Sequence, residues 1–167
     1  EETRQLLRRI IERMAWRQLA STNILGHCLK FVTELDTKLK VAAELDLYLR
    51  LFQQVRTLYR ELGGDDLESV VRERQSDIPL PESRLEFGVA YYVTGLAEQV
   101  AMEAYVGSTS PEFAAMARSY VQAATRRPEP TRFLEFCEEP TNRPQGQQFV
   151  NRWLDIARRS FGRPETP

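Results

Sequence analysis

Between Lys38 and Leu62 apolar side chains return every third or fourth residue, and two glycines then stop the run. Leu39, Val41, Ala42, Leu45, Leu49, Phe52, Val55, Leu58, Tyr59 and Leu62 make one broad stripe, and Gly63-Gly64 supplies the C-terminal break. A repeat of that period fits an α-helix and cannot lie in a strand, whose faces alternate every second residue. The same period governs residues 2–31, where Leu6, Leu7, Ile10, Ile11, Met14, Ala15, Leu19, Ile24, Leu25, Cys28 and Leu29 recur and Arg8, Arg9, Glu12, Arg13 and Arg17 fill the remainder. A turn is expected around Phe31–Asp36, with Asp36 or Thr37 as the cap of the helix that follows.

Further along, a short helix and a Pro-broken connection are expected over 65–80. Pro81 and Glu82 suit the first turn of a helix running to about residue 106. Its middle is apolar on more than one face, which places it centrally. Ser110-Pro111-Glu112 is a helix start: the serine caps, the proline takes the first position and the glutamate meets the positive end of the dipole. That helix reaches about Thr125. A short piece, RFLEFCEEP, follows, and a last helix after Pro144 carries Phe149, Val150, Trp153, Leu154, Ile156, Ala157 and Phe161 before Gly162. No period-two stretch and no fixed internal repeat is found. The expected core lies on 38–62 and 81–106, with Leu45, Leu49, Phe52, Val89, Val93, Leu96 and Val100 buried.

The 167 residues suit one domain, residues 1–167, and four or five long helices imply an all-α antiparallel bundle. Lys plus Arg (23) nearly balance Asp plus Glu (24), so no broad basic field exists to hold a nucleic acid. No apolar run is long enough to span a membrane, and the first ten residues carry no signal-peptide pattern. Two cysteines, Cys28 and Cys137, are too few for a disulfide framework, and a cytoplasmic setting is expected.

Chemistry is constrained by the single histidine, His27. Most zinc sites and nucleophilic triads need at least one imidazole, so the chain can build one such site at most. No phosphate-binding loop, dinucleotide fingerprint or HExxH is present. In a bundle, a metal is held where acids from facing helices share one level. Counting at 1.5 Å per residue from the expected turns brings Asn23, His27, Glu44 and Glu98 to about the same height. Glu44, Glu98 and His27 are therefore the candidate metal ligands, with Glu12 and Glu86 as outside candidates. A lone helical glutamate is more often on a solvated face, and a lone histidine is more often packed. Tyr91, Tyr92 and Tyr105 fit a core better than a pocket, and the arginine rows at the two ends fit solvated faces.

Several stretches resemble a known family. NILGHCLKFVTELDTKL, then a helix ending YRELGGDDLESVV, then IPLPESRLEF, and later RSYVQAATRRPEPTRFLEFCEEP with QQFVNRWLDIARRSFGRP, resemble ferritin-like proteins of phenylacetic acid catabolism. The resemblance implies a ferritin-like four-helix bundle with an additional C-terminal helix. Catalytic members of that family are di-iron oxygenase subunits acting on an aromatic acyl-CoA, and related members are metal-free partners. It carries Glu44 and Glu98 over as inward acids. Leu47 and Ala101 stand where ligating histidines would be, so the resemblance points to a non-catalytic partner subunit, a homodimer or a companion of a related subunit. No stable di-iron centre is expected. The alternatives are an iron-dependent oxygenase of the same fold and an unrelated helical adaptor.

Overall fold

The computed structural model describes residues 2–73, 79–108, 110–124 and 130–160. These residues form helices, turns and short connections, with no strand among them. The chain divides into two compact units, residues 1–80 and 81–167.

In the first unit, α1 (Glu2–Cys28) packs along α2 (Leu35–Glu61), and α3 (Leu67–Arg72) packs against α1. The first helix ends at Cys28, earlier than its periodicity implies, because residues 29–31 turn. The next begins earlier than expected. Its cap is Glu34, in extended conformation and without a side-chain cap bond, so neither Asp36 nor Thr37 performs that role. At its far end Gly63 takes φ +82, the left-handed conformation that glycine adopts without penalty. The Gly63 N–H then donates to the Arg60 carbonyl and the Gly64 N–H to the Tyr59 carbonyl, which closes the helix in a Schellman turn. A Cβ at Gly64 would meet the Tyr59 ring at 2.2 Å, so glycine is also needed there for space. Asp66 caps α3, accepting from the Ser69 N–H at 3.2 Å, and Arg56 of α2 pairs with Glu68 of α3 at 2.5 Å.

The second unit is organised around α4 (Arg84–Glu103), which packs against α5 (Pro111–Ala124), α6 (Thr131–Glu138) and α7 (Arg143–Ser160). A 3-10 turn at Pro140–Asn142 joins the last two. Ser83 caps α4, so Pro81 and Glu82 precede the helix instead of forming its first turn. Ser110 does cap α5, accepting from the Phe113 N–H at 3.4 Å. RFLEFCEEP is mostly helical, within α6. Phe161 and Gly162 lie outside the described residues.

The core differs in phase from the expectation. Phe52 and Val89 are buried and Leu45 and Val93 half-buried, but Leu49 is 46% exposed, Leu96 43% and Val100 67%. On α2 the buried line runs through Val41, Tyr48, Leu51, Phe52, Val55 and Tyr59. The apolar stripe is wider than the face one neighbouring helix covers, so leucines on its outer side remain in solvent. On α4, Glu86, Thr94 and Glu98 take buried places that pattern reading reserves for aliphatic residues.

Candidate functional site

Helix α4 carries two carboxylates that are each 1% exposed, Glu86 and Glu98. A buried carboxylate without donors is costly, so the groups around each one explain its place.

Glu86 lies in the first turn of α4 and accepts from three directions. The indole Nε1 of Trp153 donates to Oε1 at 3.0 Å, and Nη1 of Arg152 donates to the same oxygen at 2.8 Å. The backbone N–H of Glu82 donates to Oε2 at 2.8 Å. Meanwhile the Ser83 hydroxyl accepts from the Glu86 N–H at 3.2 Å. Ser83 and Glu86 thus form a variant capping box, with the carboxylate reaching one residue beyond the cap. The start of this helix was expected at Pro81 and Glu82, and the S-x-x-E spacing of Ser83 and Glu86 is the sequence signal that marks the true one. What it did not disclose is that the same carboxylate ties α7 to α4 through two adjacent residues.

Glu98, about three turns further along α4, is engaged by α5: the Tyr120 hydroxyl donates to Oε2, deep within the unit. Ala101, one turn on from Glu98, is buried and brings no polar atom beyond its backbone. The tyrosine was not singled out from sequence. Its signal is its place on the buried face of α5, in line with Phe113, Met116 and Ala117.

In the first unit, His27 is half-buried in the last turn of α1, edge-on to the Phe31 ring with centroids 5.6 Å apart. The Lys30 ammonium lies 4.8 Å from the centre of that same ring. Asn23 is exposed. Glu44 is half-buried on α2, one turn before the buried Tyr48. Glu12 is also half-buried and accepts from the Tyr59 hydroxyl at 2.8 Å, which joins α1 to the end of α2. Burial, then the hydrogen bond and the charge of Glu12, push the Tyr59 phenol up to about 12. Deeper in α1, Gln18 is 1% exposed, and its side-chain amide has no hydrogen-bond partner among the described residues.

Of the five acids and imidazoles proposed as ligands, His27, Glu44 and Glu12 therefore belong to the first unit and Glu86 and Glu98 to the second. Among the described residues there is no group of three or more His, Cys, Asp or Glu side chains that could hold a metal ion. No described helix is long and apolar enough to cross a membrane. No protein-family model, no curated protein and no solved structure matches the chain.

Proposed function

We propose that the chain is a non-catalytic, ferritin-like partner subunit, associating with a second copy or with a related helical subunit and working in the cytoplasm. The observation that carries the reading is the state of Glu98. At the position where the resemblance calls for a metal-binding acid, the carboxylate is bonded to Tyr120, and the residue one turn on is Ala101. A di-iron bundle needs carboxylates kept open toward the metal, with imidazoles completing the shell. The phenolic hydrogen bond offsets part of the cost of burying that carboxylate without a metal ion. Glu86 supports the same reading, since its three donors make it a structural link between helices. Two cysteines are too few for a disulfide framework, which suits a reducing compartment.

The test is metal analysis of protein produced in iron-supplemented medium and passed through gel filtration. The expected result is less than about one tenth of an equivalent of iron per chain, against the two that a complete centre holds. Iron near two equivalents, lost in Glu44→Ala or Glu98→Ala, would overturn the reading and establish an iron-dependent oxygenase of this fold.

A further inference from the structure

The outer face of α2 is unusually apolar for a surface helix. Leu35 is 70% exposed, Leu39 60% and Leu49 46%, and Ala42 between them is exposed as well. Leu35, Ala42 and Leu49 stand seven residues apart, so they lie in one line along the helix, with Leu39 beside the line and the half-buried Leu45 at its other margin. The charges on this face are arranged unevenly. Lys38 lies toward one end, and Asp46 with Arg50 toward the other, the last two paired at 2.7 Å. Glu34 caps the helix just before Leu35.

We infer that this face docks a second copy of the chain, antiparallel, with Ala42 on the two-fold axis. In that register Leu35 meets the partner's Leu49, and Leu39 meets the partner's Leu45. Lys38 then lies across the interface from the partner's Asp46, and the pair occurs twice because a two-fold interface repeats every contact. A parallel arrangement in register would set Lys38 beside the partner's Lys38 and Asp46 beside the partner's Asp46, and like charges so placed oppose association. The small side chain at the crossing point lets the helix axes approach to about 8 Å, near the lower end of helix packing distances. A face that complements itself in both shape and charge selects its own copy over an unrelated chain. The inference rests on the partner-subunit reading and specifies the surface through which the subunit associates.

The test combines sedimentation with site-directed crosslinking of the full chain. Wild-type protein is expected to sediment as a dimer. Leu39→Asp, on an already solvated face, is expected to keep its helical circular dichroism and raise the dimer dissociation constant about thirtyfold or more. Ala42→Cys is expected to give a disulfide-linked dimer under mild oxidation, and Thr57→Cys, further along the same face, is not. Lys38→Asp is expected to weaken the dimer, and addition of Asp46→Lys to restore it. A wild-type dimer that survives Leu39→Asp and gives no Ala42→Cys crosslink would overturn the surface. A strict monomer at high concentration would overturn it too. Either failure in iron-free protein leaves the non-catalytic reading standing, whereas a dimer of the expected register holding two irons per chain would reverse that reading and keep the surface.

Discussion

The indole of Trp153 donates its hydrogen bond to Oε1 of Glu86, sixty-seven residues earlier in the chain and equally removed from water. Trp153 is fully buried, so its ring contributes apolar area as well as a donor. Trp153→Phe keeps an aromatic ring but loses volume and leaves Glu86 short of a donor. The expected cost is about 2–4 kcal/mol in denaturant unfolding. A loss under about half a kcal/mol, typical of a surface substitution, would mean that the indole is not held by Glu86.

Tyr59 gives a prediction in pH. Its phenol is pushed up to about 12 by burial and by Glu12, above the ordinary value of 10.0. The folded state therefore keeps this proton where the unfolded chain releases it. Stability from that difference is complete below pH 10 and is lost as the pH rises from there through about 12. Tyr59→Phe should remove this part of the alkaline loss. Urea midpoints at neutral pH and near pH 11.5 check it: the drop between them should be smaller in the variant. An equal drop in both proteins would show that Tyr59 titrates as an exposed phenol.

The helical nature of the chain was legible because period and stop signals agree: the stripe of α2 ends at Gly63-Gly64, and Ser110-Pro111 opens α5. The rotation of each helix was less legible. Leu49 and Val100 fit an apolar stripe as well as Phe52 and Val89 do, and only the neighbouring helices decide which part of the stripe is covered. The candidate acids show a second limit. Glu98 was found by its height along a helix, but its partner Tyr120 comes from another helix, and no spacing in the sequence links the two. Glu86 was less prominent from sequence because its neighbours Arg152 and Trp153 are far along the chain.

Paired substitutions on α4 test that rotation. Val100 is 67% exposed, whereas Met102 is 3% exposed two residues later. Val100→Ala is expected to change unfolding free energy by less than about half a kcal/mol. Met102→Ala should cost about 2–5 kcal/mol through lost transfer energy and the cavity left behind. Equal costs at both positions would place the face of α4 differently from the structure.

The junction of α6 and α7 yields a prediction in which the sign reverses. Gly146 is buried near the start of α7, and a Cβ built there would stand 2.5 Å from Sγ of Cys137 and 3.5 Å from the Phe133 ring. The missing side chain is what lets the two helices approach. Replacing glycine within a helix by alanine ordinarily stabilises by up to about 1 kcal/mol, because the unfolded chain loses freedom and the helix gains propensity. Here the added methyl must displace a sulfur atom, and overpacking of that kind costs about 1–3 kcal/mol. Gly146→Ala is therefore expected to destabilise the protein. Cys137→Ala removes the sulfur and leaves room for the methyl. In that background Gly146→Ala should become neutral or stabilising, and the two substitutions should couple by more than about half a kcal/mol in a double-mutant cycle. Thermal or denaturant unfolding of the four proteins measures it. Strictly additive effects would show that Cys137 and Gly146 do not share this contact, and that some other neighbour sets the approach of α7.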